Sequence, residues 1–227
     1  MTWIKICGTT DLKDALVAVE AGADAVGFVF YAKSPRNISV DAAREIVAKL
    51  PESVAKVGVF VGATAEAVAK ISKETVLTAA QIYANPHSQC STLDDEFVEK
   101  VPCRIIAALS IGLIAENELA GFHVSHGVRD RIMAILLDSG GSGRPGGTGK
   151  TFDWESAASF SELMNQGSLK LIVAGGLTEN NVGKAIEILR PWGVDVASGV
   201  EIRPGKKDPE KVRAFVRAVR EMDRKVS

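Results

Sequence analysis

Eight short apolar runs alternate with amphipathic stretches along the chain, and this alternation restricts the fold more than any other feature. The runs lie near residues 3–7, 24–30, 55–61, 76–83, 103–109, 132–137, 169–174 and 194–198. They are rich in Val, Ile and Phe and mostly do not alternate with polar residues, as parallel strands covered on both faces should read. Ile132-Met133-Ala134-Ile135-Leu136-Leu137 is the clearest of them. Helical periodicity marks 11–21, 40–50, 64–72, 153–164, 178–189 and 208–222, and a further helix is expected near 111–121. Ser, Thr or Asp stands at the expected N-caps, and Gly22 and Gly193 read as helix ends that lead into strands. Eight β–α units in one series, with no linker or composition shift, predict an α/β chain forming a single (β/α)8 TIM barrel over residues 1–227. A doubly wound open sheet is the alternative; it calls for fewer strands or a dinucleotide fingerprint.

The length of 227 residues suits one barrel, since such folds run to about 200–250 residues as single units. Lys plus Arg total 27 against 28 for Asp plus Glu, so no basic surplus exists to neutralise a nucleic acid, and none is expected as a partner. Cys7, Cys90 and Cys103 cannot close a disulfide framework and contain no CxxC pair, which points to a reducing compartment. The opening residues Met1 to Cys7 lack a basic stretch followed by an apolar one and read as a strand rather than a secretory signal. Thr75 to Leu93, the longest charge-free stretch, holds too many polar side chains for a membrane helix. A cytoplasmic protein without membrane contact is the expectation.

Ser139 to Lys150 breaks the rhythm, being too rich in glycine to hold one shape unaided. It follows the sixth run and so forms a βα loop, for which a solvated spacer and a lid are both compatible readings. Gly141 to Gly146 matches GxGxxG by letter, yet Pro145 and more glycine follow where a helix must open. Gly149-Lys150-Thr151 resembles the end of a Walker A loop but has Arg144 where the leading glycine belongs. His123 and His126 have no third ligand nearby in sequence, and no metal is expected.

In such barrels the reacting groups stand at the carboxyl ends of strands and in the loops that follow. Cys7 ends the first run beside Gly8-Thr9-Thr10 and is either core filler or a reactive thiol. Asp138 ends the sixth run directly after Ile135-Leu136-Leu137. Apolar neighbours should raise its proton affinity and suit it to general acid work, although an aspartate capping the next loop reads the same way. Gly175-Gly176 and Ser198-Gly199 follow the seventh and eighth runs, where barrels present backbone N–H groups to phosphate; simple turn geometry is the alternative. Arg36, beside Pro35 in the loop after the second run, is placed to fork onto a carboxylate or to make a surface salt bridge.

Taken in order, these segments resemble the phosphoribosylanthranilate isomerase family. The resemblance rests on Lys5-Ile6-Cys7-Gly8, Gly27-Phe28-Val29-Phe30 with Ser34-Pro35-Arg36, Val57-Gly58-Val59-Phe60-Val61 and Leu136-Leu137-Asp138. It continues through Gly146 to Trp154, Ala174-Gly175-Gly176-Leu177, Val194 to Glu201 and Pro204 to Asp208. It implies the cofactor-free Amadori rearrangement of N-(5-phosphoribosyl)anthranilate to 1-(2-carboxyphenylamino)-1-deoxyribulose 5-phosphate, a step of tryptophan biosynthesis. Asp138 would be the acid that opens the furanose ring and Cys7 the base that removes the C2 proton, helped by a local lowering of its pKa. Arg36 would hold the anthranilate carboxylate, and Gly175, Gly176, Ser198 and Gly199 the phosphate. Gln81 keeps its family place as a substrate-side residue, and the chain would act as a monomer or small homo-oligomer on this small phosphorylated molecule.

The chain also departs from the family pattern. Gln81-Ile82-Tyr83-Ala84 stands where Gln-Leu-His-Gly is usual, Ala107 where a lysine is common, and Thr178-Glu179-Asn180-Asn181 where Thr-Pro-Glu-Asn is usual. These changes are expected to alter rim contacts more than the acid–base pair.

Overall fold

A computed structural model of the chain describes residues 1–83, 95–111, 129–140, 151–166 and 169–226. Eight parallel strands close into a barrel in chain order. They are β1 Trp3–Ile6, β2 Ala25–Val29, β3 Ala55–Val61, β4 Ala79–Tyr83, β5 Arg104–Ser110, β6 Ile132–Asp138, β7 Leu171–Val173 and β8 Gly193–Val196. Closure is made by β1 against β8, with Trp3 opposite Gly193 and Lys5 opposite Asp195.

The continuous apolar character of the strands has a direct cause. Residues of one parity, such as Val57, Val59, Ile106, Ala108, Ala134 and Leu136, pack together inside the barrel. Those of the other parity, such as Phe60, Ile105, Ala107, Ile135 and Leu137, pack with the helices in the outer layer. Both faces leave water, so the runs read as apolar along most of their length.

The helices are α1 Leu12–Ala21, α2 Val40–Val47, α3 Ala65–Glu74, α4 Asp95–Lys100, α5 Ala158–Gln166, α6 Val182–Leu189 and α7 Pro209–Val226. Asp11, Ser39 and Thr64 cap the first three by accepting from the N–H groups of Asp14, Ala42 and Ala67. Gly22 ends α1 at φ 96°, in the left-handed region glycine favours.

Gly193 does not end a helix. Arg190 ends α6 in the left-handed conformation, and Gly193 lies in β8, where a Cβ would stand 2.9 Å from the Trp3 carbonyl oxygen. The glycine there lets two strands meet at the closure. The helix expected from 178 begins at Val182, because Asn181 accepts from Thr178 N–H at 2.8 Å and donates to Gly176 O at 2.9 Å, folding that stretch into a turn. The segment expected from 153 becomes helical only at Ala158, and α4 is an element the periodicity did not reveal. The helix expected near 111–121, from residue 112 on, the glycine-rich residues 141–150 and His123 and His126 lie outside the described residues.

After β8 the chain makes one 3₁₀ turn, Ser198–Val200, then an antiparallel hairpin of β9 Glu201–Arg203 and β10 Lys206–Lys207. Gly205 turns it at φ 80°. α7 then packs Val212, Phe215, Val216 and Val219 into the outer core. At its far end Asp223 accepts from both the N–H and the hydroxyl of Thr2, and Arg220 donates to the Thr2 carbonyl. No helix among the described residues is long and apolar enough to cross a membrane.

Candidate functional site

Strand parity decides what enters the carboxyl end of the barrel. Lys5 and Cys7 are two apart on β1 and its exit, as are Gln81 and Tyr83 on β4, so each pair points inward. Asp138 ends β6 two residues beyond the interior Leu136, and Asp195 enters from β8 opposite Lys5.

These side chains form one buried string. Lys5 Nζ donates to Asp195 Oδ1 and to Gln81 Oε1, both at 2.9 Å. Gln81 Nε2 donates to the Tyr83 hydroxyl at 3.2 Å, and that hydroxyl donates to Asp138 Oδ2 at 2.7 Å. Asp138 Oδ1 accepts from Gly140 N–H at 3.2 Å. Asp138 is only 4% exposed and Lys5 is fully buried, so every polar atom in the string depends on its neighbours for solvation.

Cys7 sits beside Lys5. A Cβ on Gly27 would stand 2.9 Å from the Cys7 sulfur and 3.1 Å from Lys5 Cε, so the glycine makes the room both side chains occupy. The next residue, Gly8 at φ 76°, lies against Arg36, whose Cδ would be 2.4 Å from an added Cβ. The Arg36 guanidinium is spread over Glu201, Nε to Oε1 at 2.9 Å and Nη2 to Oε2 at 2.7 Å. It thus makes a salt bridge, but a buried one within the protein, and two of its donors are engaged without any ligand. Lys207 completes the cluster: its ammonium donates to Glu201 Oε1 at 2.9 Å and to the Cys7 carbonyl oxygen.

Burial sets the proton affinities. Desolvation raises the Asp138 carboxyl, and the Tyr83 hydrogen bond only partly opposes this. The same burial raises the Cys7 thiol; Lys5 pulls it back without winning. The expected lowering of Cys7 is therefore not found, because a fully buried sulfur loses more by leaving water than one shared ammonium returns. Burial would lower Lys5, yet Asp195 and Cys7 together carry it above the ordinary lysine value. Lys207 moves down under burial despite Glu201.

The loops after β7 and β8 meet at this end. Gly175 and Gly176 take φ 87° and 61°, and a Cβ on Gly175 would stand 2.3 Å from Ser139 Oγ. A Cβ on Gly199 would stand 1.9 Å from the Leu177 carbonyl oxygen, so only glycine lets the 3₁₀ turn approach the β7 loop. The N–H groups of Gly175 and Gly176 reach no backbone acceptor among the described residues.

Cys7, Arg36, Gln81, Asp138, Gly175, Gly176, Ser198 and Gly199, the candidate site residues read from the sequence, thus stand at the carboxyl end of the barrel. Lys5, Asp195, Glu201 and Lys207 were not assigned roles there. A charge inside an otherwise apolar run, two residues from Cys7, was the signal available for Lys5. Glu201 and Lys207 gave none, because the hairpin that brings them back has no periodic pattern. Of the departures, Ala107 points into the outer layer and touches no rim contact, whereas Tyr83 touches Asp138 directly.

The fold and this polar ring define the class: an enzyme on a (β/α)8 barrel. The chain belongs to the N-(5'-phosphoribosyl)anthranilate isomerase family, whose model, described as N-(5'phosphoribosyl)anthranilate (PRA) isomerase, matches residues 4–218. It is 42% identical over 217 residues to the N-(5'-phosphoribosyl)anthranilate isomerase of Thermotoga neapolitana, covering 96% of this chain and 98% of that one. It is 43% identical over 218 residues to that of Pseudomonas fluorescens, covering 95% and 97%. The crystal structure of phosphoribosyl anthranilate isomerase from Thermotoga maritima aligns with a TM-score of 0.80 at 36% identity, over 97% of this chain and all 100% of that one. A crystal structure of a phosphoribosyl anthranilate isomerase in complex with reduced 1-(o-carboxyphenylamino)-1-deoxyribulose 5-phosphate aligns with a TM-score of 0.76 at 35% identity, over 97% of this chain and 100% of that one.

Proposed function

We infer that the chain isomerises N-(5'-phosphoribosyl)anthranilate to 1-(2-carboxyphenylamino)-1-deoxyribulose 5-phosphate, with Asp138 as the acid and Cys7 as the base. The observation that carries the assignment is the string from Asp138 through Tyr83, Gln81 and Lys5, which joins the acid to the surroundings of the thiol across the barrel interior. Asp138 gives its proton to the ring oxygen; the C1–O bond breaks and the nitrogen lone pair closes a C1=N iminium. That cation acidifies the C2–H, whose proton passes to the Cys7 sulfur while its electrons form the C1=C2 bond of an enolamine. The enol then gives up its hydroxyl proton as C1 gains one, which leaves the ketone. A raised carboxyl suits the first step, since it keeps its proton closer to neutrality. Lys5 suits the second, since an ammonium beside the sulfur favours its thiolate.

The two anionic ends of the substrate are assigned to opposite sides. Gly175, Gly176, Ser198 and Gly199 receive the phosphate on backbone N–H groups, supported by the close approach that Gly199 permits. Arg36 reaches the anthranilate carboxylate through Nη1, the guanidinium nitrogen not bonded to Glu201. Gln81 lines the same interior but serves it through Lys5 and Tyr83. A cytoplasmic setting belongs to this reading, because a thiol that acts as a base has to stay reduced. Loss of anthranilate fluorescence on adding freshly generated phosphoribosylanthranilate tests it. A rate that Cys7→Ala and Asp138→Asn both remove supports the assignment, and near wild-type rates in two folded variants reject it.

A further inference from the structure

We propose that Tyr83 is the positioning residue of Asp138: its hydroxyl donates to Oδ2, fixes the carboxyl in place and steadies the carboxylate left once the proton has passed to the substrate. The inference rests on Asp138 being the acid of the reaction above.

The direction of the string follows from which groups can only donate. An ammonium has no acceptor, so the Lys5 contact at 2.9 Å fixes Oε1 as the oxygen of the Gln81 amide. The amide must then turn its NH₂ to Tyr83, 3.2 Å away, and the phenol oxygen must accept there. A hydroxyl has one proton, and the remaining contact, 2.7 Å to Asp138 Oδ2, takes it. Oδ1 accepts from Gly140 N–H at 3.2 Å and from the Ser139 hydroxyl at 3.5 Å.

The family pattern, with histidine at this place, does not impose this. A neutral imidazole carries one donor and one acceptor and can present either to the carboxyl. Tyr83 holds its proton firmly, since burial and then Asp138 push the phenol well above its ordinary value. In this chain the donor therefore faces Asp138 whichever way the carboxyl titrates.

Charged and titratable groups reach Asp138 from three strands: Tyr83 on β4, Lys5 on β1 and Asp195 on β8. Desolvation and Asp195 raise its proton affinity, while Tyr83, Gly140 N–H and Lys5 lower it. Cys7 acts on the phenol rather than on the carboxyl. Tyr83 thus counteracts the burial that makes Asp138 a weak acid, and it stabilises the carboxylate left after the proton has gone.

Infrared titration of the Asp138 carboxyl, taken as the difference between each protein and its Asp138→Asn counterpart without substrate, tests this independently of turnover. Tyr83→Phe should raise the Asp138 pKa by about one unit, the size of one hydrogen bond to a charged group. The limb of the kcat profile that reports Asp138 should move up with it, kcat should fall about tenfold with KM changed less than about twofold, and Tyr83→His should restore most of both. A Tyr83→Phe protein whose carboxyl titrates at or below the wild-type value overturns the proposal, even if it melts earlier. Wild-type protein inactive on phosphoribosylanthranilate rejects the isomerase reading instead, and the titration still decides whether Tyr83 steadies the Asp138 carboxylate.

Discussion

The two ends of the barrel interior are built from one sheet with one alternation, yet they solve opposite problems. At the amino end Trp3 stacks on Trp192 with ring centroids 5.0 Å apart, and the Lys170 ammonium lies 4.3 Å from the Trp192 ring centre. Flat aromatic faces close that end by contact and ask for no partner beyond it. At the carboxyl end the same inward positions carry Lys5, Gln81, Tyr83, Asp138 and Asp195, which are stable only while each donor meets its acceptor. One end is tolerant and inert; the other is intolerant and reactive.

The largest effect expected is on turnover. Asp138→Asn and Cys7→Ala should each lower kcat by about 10²–10⁴-fold, the usual worth of a general acid or base, in stopped-flow fluorescence. Asp138→Asn should also melt higher than wild type at neutral pH. A carboxyl raised on folding binds more protons folded than unfolded, so its contribution to stability falls as pH rises from the unfolded value toward the folded one. A lower melting temperature for Asp138→Asn would break the contrast between the ends. Next comes Lys5→Met, which strands Asp195 as a buried, unpaired charge and should cost about 3–5 kcal/mol in urea unfolding. Trp192→Ala should cost about 2 kcal/mol while the folded fraction keeps its kcat, since no string runs to that end. The exposed Arg44–Asp41 pair at 2.7 Å marks the lower bound: Arg44→Ala should change the unfolding free energy from urea titration by less than about 0.5 kcal/mol.

What the sequence made legible follows the same division. Strand positions emerged because both faces of each run are buried, which leaves a nearly continuous apolar signal, clearest over Ile132 to Leu137 in β6. Cys7, Asp138 and the paired glycines stood out because polar or small residues at strand exits interrupt that signal. Gly193 was misread because a glycine between helix and strand looks alike whether it ends the first or fits the second; only its contact with Trp3 tells them apart. The carboxylate fork of Arg36 was legible in kind, but its partner Glu201 lies 165 residues away across a hairpin without periodicity. The lowered thiol was expected from chemistry alone, and burial reversed it.

Thr2 and Asp223 are 221 residues apart in the chain yet share two hydrogen bonds, at the face opposite the reactive groups. The lead-in to the first strand and the last helix are therefore tied to each other directly. A new opening cut in an exposed turn, with a peptide bridging the segment of Asp223 to that of Thr2, should give a circular permutant that still closes its barrel.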